Sequence, residues 1–385
     1  MSTTPNRNNA AGQDVNGAGP AIRHVRYRDL SVENPALKLE LLAAVDRVLT
    51  HGQILLGPEV EQLEEEIARY CGVDHCVGVA SGTDALYVAL RCIGVGPGDE
   101  VITTPLSWVA TLNAIHICGA TPVFVDIKDD LNIDASLIEA AITPRTKAIV
   151  PVHFTGRLCN MAAICEVASR HGVLVIEDAA QAFGANISGV YAGGFGDLAT
   201  FSFNPMKVLP SYGEAGAVLA KRRDWYDKLI ALRYLGTVDK EYCLYPSLNA
   251  KIDTIQAAML LVNLKYVDDI ISRRIEIARY YSEALGESVG CPTVSQGPDR
   301  PSVFFDYTIT VDRRDAVQAH LESRGIETKI KHPILMPHQP GYSHLARPNV
   351  PVAETAVKRI LSIPIHEKMS DAEVEFVADT VKSVQ

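Results

Sequence analysis

Residues 148–181 read AIVPVHFTGRLCNMAAICEVASRHGVLVIEDAAQ. The segment begins with the β-branched run Ala148–Val152, continues with the helical pattern Met161–His171 and ends with the apolar run Val173–Glu177. Both runs are largely apolar rather than alternating, which is typical of strands buried on both faces of a mostly parallel sheet. The segment therefore predicts a strand, a helix and a second strand, and repetition of this unit decides the fold class.

The same alternation extends from Pro35 to about Lys265. Five further apolar runs predict strands, at Val77–Ala80, Val101–Thr104, Val123–Val125, Thr200–Phe203 and Ala217–Ala220. Helices are predicted at Leu37–Leu49, Glu59–Tyr70, Thr83–Cys92, Trp108–Ile117 and Asp134–Ala141. The sequence therefore predicts an α/β fold with a large α/β/α domain and a mostly parallel sheet.

A smaller α+β unit is predicted after the large domain. A helical stretch from about Asp253 to Leu285 is expected to break or bend once, and Pro292–Pro301 links it onward. The predicted elements beyond the link are a strand near Phe304–Val311 and helices near Ala316–Arg324 and Asp371–Val384. We predict a flexible N-terminal tail at 1–24, a large domain at 25–265 and a small C-terminal domain at 266–385.

Composition narrows the class of protein. The 385 residues carry 36 Lys and Arg against 46 Asp and Glu, a formal net charge of −10. An acidic chain lacks the broad basic surface of a nucleic-acid-binding protein, so no nucleic-acid partner is expected. No apolar run reaches the roughly 18 residues of a membrane span, and Met1–Pro20 lacks the apolar core of a secretory signal. The eight cysteines form no C-x-x-C pair and are expected to be reduced thiols of a cytoplasmic protein.

Several familiar site motifs are missing from the sequence. There is no G-x-x-x-x-G-K-[ST] loop, no G-x-G-x-x-G after a strand, and no G-x-S-x-G elbow. H-E-x-x-H and Cys/His clusters with zinc spacing are also missing, so no metal site is expected.

Polar residues instead gather where predicted strands end, which is where open α/β sheets bind their ligands. Ser81-Gly82-Thr83 follows the strand Val77–Ala80 and opens a helix. The free N–H groups of a helix N-terminus suit a phosphate, although the segment could also be an ordinary N-cap. Trp108 follows another strand, where it is either a ring-stacking residue or a core aromatic.

Two further positions bring charged groups to the same edge. Glu177 and Asp178 end a buried strand, where a carboxylate needs a cation such as a protonated pyridine nitrogen, unless Asp178 only caps the next helix. Lys207 follows Ser202 by five residues in an apolar, Pro-bounded loop. Desolvation there would make the amine a nucleophile for carbonyls; the alternative is a solvated surface lysine. Together these groups are the set that pyridoxal phosphate requires.

The motifs also resemble those of a known family. SGTDAL at 81–86, EDAAQAFGA at 177–185, FSFNPMK at 201–207 and GEAGAV at 213–218 look like those of the DegT/DnrJ/EryC1/StrS sugar aminotransferases. These are fold-type-I, pyridoxal-phosphate-dependent enzymes, and the resemblance covers the chain from about Val32 to its C-terminus.

The resemblance implies a role for each matching residue. Lys207 forms the Schiff base with pyridoxal 5′-phosphate and then moves the proton, with pyridoxamine phosphate as the intermediate carrier. Asp178 pairs with the pyridine nitrogen, and Asn249 reaches the cofactor of a partner subunit, which implies a homodimer with shared active sites. The cofactor-binding residues implied in this way are Gly82, Thr83, Trp108, Asp178, Gln181, Ser202, Lys207 and Asn249.

The sequence departs from the family pattern in three places. The family arginine of Asn-x-Arg-x-Asp is Lys251, and Ala215 stands where many relatives have a second glycine. The family segment His-Tyr-Pro-x-Pro-x-His reads KHPILMPH at 331–338, with its last histidine displaced by one. The candidate substrate contacts are Lys331, His332 and His338, although the histidines could equally be solvated loop residues. His153 and His366 are either structural histidines or further substrate contacts.

The resemblance implies transfer of an amino group from L-glutamate or L-glutamine to a keto-sugar. The expected acceptor is a nucleotide-diphosphate 3- or 4-keto-6-deoxyhexose, as in antibiotic deoxysugar or surface-polysaccharide synthesis. A keto-cyclitol acceptor is the nearest alternative. A sugar dehydratase on the same scaffold would carry histidine in place of Lys207, and a non-catalytic regulator could retain the fold alone.

Overall fold

The structure is a computed structural model that describes residues 24–239 and 241–384. Apart from residue 24, the predicted N-terminal tail lies outside the described residues. The strands of the described part are β1 (His75–Val79), β2 (Glu100–Thr103), β3 (Thr121–Phe124), β4 (Thr146–Val150), β5 (Leu174–Asp178), β6 (Asn186–Ile187), β7 (Val190–Tyr191), β8 (Leu198–Ser202), β9 (Gly216–Ala220), β10 (Thr237–Val238), β11 (Tyr242–Cys243), β12 (Tyr307–Thr310) and β13 (Ile360–Ile363).

The α-helices alternate with the first strands and continue beyond them. They are α1 (Pro35–His51), α2 (Pro58–Cys71), α3 (Gly82–Cys92), α4 (Ala110–Ile117), α5 (Ala135–Ala141), α6 (Met161–His171), α7 (Arg223–Arg233), α8 (Thr254–Leu264), α9 (Val267–Leu285), α10 (Arg314–Ser323), α11 (Pro351–Arg359) and α12 (Asp371–Lys382). Local chemistry accounts for several bounds: the Asn34 side chain caps α1, and Gly172 ends α6 at a φ of 64° that favours glycine.

A seven-stranded sheet forms the centre of the described chain, in the order β1-β9-β8-β5-β4-β2-β3. Only β9 runs antiparallel to its neighbours, β1 and β8, and the remaining pairings are parallel. The predicted mostly parallel α/β fold is therefore confirmed. Each of the seven runs expected from the sequence forms one of these strands, with ends shifted by at most two residues.

Buried side chains cover both faces of this sheet. One face packs against α2, α8 and the Phe183–Phe201–Phe203 cluster, and the other packs against α3, α4 and α7. The strand β9 (Gly216–Ala220) is buried at every position, as expected for an inner strand of a three-layer fold.

A second core lies beyond the sheet. The antiparallel pair β12–β13 packs with α9, α10 and α12 through apolar residues such as Tyr281, Tyr307 and Leu321. The long helical stretch breaks at Lys265–Tyr266, as predicted. Val25 joins this second core and bridges to Ile326, so the start of the described chain packs on the C-terminal unit. The domain boundary at residue 265 stays a prediction.

Elements α7, β13 and α11 are absent from the sequence-based prediction. The short hairpins β6–β7 and β10–β11 are absent from it as well, because two-residue strands carry no periodic signal. In the part of the chain that the structure describes, no helix combines the length and the apolar character of a membrane span. All eight cysteines are free thiols.

Candidate active site

The carboxyl ends of β1, β5 and β8 meet at one edge of the sheet, because the three strands point the same way and lie close together in the strand order. Ser81, Asp178 and Ser202 lie at these three ends. The strand order thus brings together three of the four sequence positions that carry polar chemistry, and the loop after β8 adds Lys207.

The first helical turn of α3 forms a cradle with the end of β8. Ser81 caps the helix by accepting from the Asp84 N–H at 3.1 Å, which leaves the N–H groups of Gly82 and Thr83 without intrahelical acceptors. A Cβ at Gly82 would lie 2.5 Å from the Ser202 Cβ and 3.0 Å from its Oγ. Glycine is therefore required for this close approach, and the free N–H groups of a helix N-terminus beside a hydroxyl suit a phosphate.

Asp178 is 3% exposed and has a fixed orientation. Its Oδ2 accepts from the Thr111 hydroxyl at 2.8 Å, and its Oδ1 accepts from the Ala180 N–H at 3.3 Å. Burial raises the pKa of this carboxyl, while those hydrogen bonds and the charge of Lys207 act in the opposite direction. A carboxylate held in this way is completed by a cation such as a protonated ring nitrogen.

Glu177, adjacent in sequence, has a structural role. Successive residues of a strand point to opposite faces, so Glu177 turns away from Asp178. Its carboxylate is fully buried and accepts from the backbone N–H groups of Gly193, Phe195 and Gly196 at 2.7–2.9 Å. The His153 Nε2 completes this set at 3.0 Å.

Lys207 lies in the turn after β8 and is partly buried. Its Nζ lies over the Phe305 ring, 4.7 Å from the centroid. Burial lowers its pKa from 10.5 to about 8, the charges of Lys331 and Arg28 act in the same direction, and Asp178 opposes them. A solvated surface lysine is therefore not what the structure describes. The amine is partly neutral near physiological pH, which suits attack on a carbonyl.

Trp108 is 63% exposed, immediately before α4. Its ring centroid lies 5.7 Å from that of His332, which in turn lies 5.7 Å from Phe154. The core-aromatic interpretation of Trp108 is wrong, and the open indole face is available to stack on a planar ring. His332 has a φ of 52°, and burial lowers its pKa to about 4.

The other candidate residues lie in different surroundings. Gln181 is buried, and its Oε1 accepts from the Thr155 N–H at 2.9 Å. Asn249 is exposed and accepts from the Lys251 ammonium, which lies 3.8 Å above the Tyr234 ring. The backbone of the next residue, Ala250, accepts from Ala80 at 2.9 Å, so this segment borders the end of β1.

The histidines differ in what they contact. The Nδ1 of His153 accepts from the Cys159 N–H at 3.2 Å, so its two ring nitrogens are both occupied. His366 bonds the backbone of Arg26 at 3.2 Å. The nearest carboxylate to His338 is Glu354, at 3.7 Å. Among the described residues, no side-chain hydrogen bond or ion pair joins these three histidines to Lys207, Asp178 or Trp108, although the His153 N–H donates to the Asp178 carbonyl at 3.1 Å.

A charged cluster around Asp306 borders Lys207, and of its members only Lys331 is predicted from the sequence. Asp306 contacts Tyr27, Arg28 and Lys331, and its neighbour Phe305 touches Lys207. The sequence contains a pattern that could have identified Asp306, because this carboxylate lies in the apolar run VFFDY, much as Asp178 lies at the end of an apolar strand. The contact with Arg28 joins residues 278 apart, which no local pattern predicts.

The residues present fit pyridoxal phosphate. The glycine-lined cradle suits its phosphate, Asp178 suits its pyridine nitrogen, and Trp108 offers a stacking face. Lys207 supplies the amine that its aldehyde requires.

Comparison with known proteins gives the same assignment. The DegT/DnrJ/EryC1/StrS aminotransferase family matches residues 35–382. A dTDP-3-amino-3,4,6-trideoxy-alpha-D-glucose transaminase of Streptomyces venezuelae is 39% identical over 361 residues, covering 93% of this chain and 95% of that protein. A "pleiotropic regulatory protein" of Geobacillus stearothermophilus is 38% identical over 363 residues, covering 93% and 98%.

A solved structure adds the cofactor. NtdA of Bacillus subtilis, with bound cofactor PMP, superimposes with a TM-score of 0.88 at 31% identity, over 94% of this chain and 85% of that one. Family, fold and cofactor thus agree with the expectation from the motifs. The chain belongs to the DegT/DnrJ/EryC1/StrS aminotransferase family and is a pyridoxal-phosphate-dependent transaminase of fold type I.

Proposed function

We propose that this transaminase moves an amino group from L-glutamate or L-glutamine to a nucleotide-diphosphate 3- or 4-keto-6-deoxyhexose. The observation that carries the proposal is Lys207, a partly buried amine with a pKa of about 8 beside the oriented carboxylate of Asp178. The name of the Streptomyces venezuelae relative supports a nucleotide-linked amino-deoxysugar. A keto-cyclitol stays the alternative acceptor.

Each residue acts in a definite way in this proposal. When bound, the cofactor supplies an electron sink for the carbon that loses its proton. Asp178, oriented by Thr111, holds the proton on the ring nitrogen. Lys207 would accept a proton from the α-carbon of the donor and deliver it to the carbon on the other side of the amine nitrogen, a 1,3-shift for which a pKa near the working pH is favourable. Trp108 orients the ring by stacking, and Gly82 with Ser202 holds the phosphate.

The dehydratase alternative loses support because position 207 carries lysine rather than histidine. The name "pleiotropic regulatory protein" applies to the Geobacillus stearothermophilus relative, and the present proposal assigns no regulatory role to this chain. We place this chain in the cytoplasm as part of the same proposal, since all eight thiols are free.

A homodimer with shared active sites is part of the proposal. The segment on both sides of β10 and β11, which leads to Asn249, exposes large apolar side chains, and so does one face of α1. Exposed side chains on these two surfaces are Leu39 at 68%, Leu42 at 58%, Leu49 at 61%, Tyr242 at 65%, Leu244 at 58% and Leu248 at 46%. Apolar patches of this kind typically become covered on association, and a second copy would bring Asn249 to the cofactor of its partner.

The first test of the reaction uses the visible absorption of the purified, cofactor-loaded protein. L-glutamate or L-glutamine should convert the pyridoxal form to the pyridoxamine form, and a keto-sugar should reverse the change. The acceptor is then identified with a panel of nucleotide 3-keto- and 4-keto-6-deoxyhexoses and a keto-cyclitol. The aminated product is detected by mass spectrometry. A loaded protein that no amino acid converts would contradict the proposal and favour a regulatory role.

The shared site has its own test. Lys207→Ala and Asn249→Ala should each be nearly inactive alone, but a mixture allowed to exchange subunits should regain activity. Each mixed dimer then has one site with both Lys207 and Asn249 intact. A mixture that stays inactive although subunits exchange would place Asn249 outside the partner's site.

A further inference from the structure

The Asp306 cluster consists of Asp306, Tyr27, Arg28 and Lys331, and it is buried beside Lys207. The Asp306 side chain is 1% exposed, that of Arg28 is 6% and that of Lys331 is 13%. Arg28 Nη2 lies 2.6 Å from Oδ1 of Asp306, and Lys331 Nζ lies 3.2 Å from Oδ2. The Tyr27 hydroxyl donates to the same Oδ1.

The cluster holds two cations for one carboxylate. The neighbouring Arg274 does not change this balance, because it pairs with Glu367 at 3.1 Å. Arg28 and Lys331 together therefore carry one positive charge more than Asp306 neutralises. A buried cation without a counter-charge is costly, so an anion that entered here would be bound favourably.

Donor groups remain for such an anion. Arg28 Nε is buried and has no hydrogen-bond partner in the described structure. The Lys331 ammonium has three N–H donors, and Asp306 is the acceptor found for it among the described residues. The cluster therefore offers hydrogen bonds as well as charge.

The position of the cluster selects the kind of anion. The Phe305 ring lies under Lys207 Nζ at 4.7 Å from its centroid, under Lys331 Nζ at 5.1 Å and under Arg28 Cζ at 5.1 Å. The charge of Lys331 also acts on the Lys207 amine, so an anion on Lys331 would lie near the reacting amine. The α-carboxylate of an amino acid is bonded directly to the carbon that reacts at Lys207, whereas the diphosphate of a nucleotide sugar is separated from its keto carbon by ring atoms.

We propose that Lys331, supported by Arg28, binds the α-carboxylate of the amino donor. The inference rests on the proposed function, in that it assumes an α-amino acid as donor. In this assignment Lys331 belongs to the donor half-reaction, whereas the family resemblance alone implied only that its segment borders the substrate. Asp306 is a positioning residue, because it holds both cations in place without contacting the substrate.

The test compares Lys331→Met with Lys331→Arg and with Lys329→Met, a control at an exposed lysine two residues away. Single-turnover absorption measures the donor half-reaction with L-glutamate and with 4-aminobutyrate, which keeps the amine and the distal carboxylate but lacks the α-carboxylate. The sugar half-reaction is measured from the pyridoxamine form. Calorimetric titration of the loaded enzyme with glutarate, which cannot react, gives carboxylate binding without turnover.

In Lys331→Met the half-saturating L-glutamate concentration should rise about 10- to 100-fold, the loss expected for a hydrogen bond to a charged group. Glutarate affinity should fall in parallel, and the preference for L-glutamate over 4-aminobutyrate should shrink. The arginine variant should retain most of the binding, and Lys329→Met should match the wild type. Lys331→Gln replaces the methionine variant if that variant does not fold.

Unchanged glutarate affinity in the variant would overturn the inference, as would a loss that is equal or greater in the sugar half-reaction. A wild type that binds no glutarate would overturn it as well. If the wild type binds glutarate and the variant does not, but no amino acid transfers its amine, the proposed function fails while the carboxylate site stands.

Discussion

Replacing Lys207 with methionine should make the cofactor-free protein more stable while abolishing transamination. Burial lowers the pKa of this amine from 10.5 to about 8. In the unfolded chain the pKa returns to its ordinary value. At neutral pH the protonated amine is therefore less favourable in the folded protein than in the unfolded chain, which lowers the free energy of unfolding. At about 1.4 kcal/mol for each tenfold change in a proton equilibrium, the cost is about 3 kcal/mol at pH 7.

This cost depends on pH in a definite direction. Between pH 8 and pH 10.5 the unfolded chain binds more protons than the folded chain at this position, so the stability of the wild type rises with pH. The cost is complete below the folded pKa and is lost above the unfolded pKa. Between pH 7 and pH 9 the wild type should recover about 1 kcal/mol relative to the methionine variant.

The value of about 3 kcal/mol is an upper value for the gain in the variant. Asp178 loses a neighbouring positive charge when Lys207 is replaced, and its pKa, which burial already raises, should rise further. The increase in the free energy of unfolding is therefore smaller than about 3 kcal/mol, because the variant contains a buried carboxyl without a neighbouring cation.

The assay is urea unfolding of both proteins after removal of the cofactor, followed by tryptophan emission at pH 7 and pH 9. Lys147→Met, at an exposed lysine, serves as the control and should show no pH-dependent difference from the wild type. A difference between wild type and Lys207→Met that stays the same at both pH values would refute the reasoning. A variant less stable than the wild type at pH 7 would do the same.

The remaining predictions concern three other positions. Asp178→Asn should slow the donor half-reaction at least 100-fold, because the ring nitrogen loses its charged partner; an unchanged single-turnover rate would mean that the ring nitrogen lies elsewhere. Gly82→Ala should weaken cofactor binding about tenfold or more in a fluorescence titration, since the new Cβ would lie 2.5 Å from the Ser202 Cβ. Wild-type affinity in this variant would contradict the inference that Gly82 and Ser202 hold the phosphate. Glu177→Gln should lower the free energy of unfolding by about 3 kcal/mol, because the amide cannot replace a carboxylate that accepts from three backbone N–H groups and from His153; urea unfolding within experimental error of the wild type would contradict that role.

Two adjacent carboxylates illustrate how far a local pattern reaches. The sequence identified Glu177 and Asp178 as unusual because both end an apolar strand. Only the structure separates them, with Asp178 bonded to Thr111 of α4 and Glu177 bonded to the 193–196 loop. Strand geometry makes neighbours diverge, but which face meets the cofactor depends on what packs on each side.

The sequence by itself determined the α/β class, the seven strands of the sheet and the family. Apolar runs of strand length and helical periodicity are local, and the motifs around Gly82, Asp178 and Lys207 are contiguous. Tertiary structure alone decided that β9 inserts antiparallel between β1 and β8. It also exposed Trp108 and brought Arg28, Asp306 and Lys331 to Lys207. The physical reason is that burial and charge compensation depend on groups far apart in the chain, which packing brings together and no local pattern records.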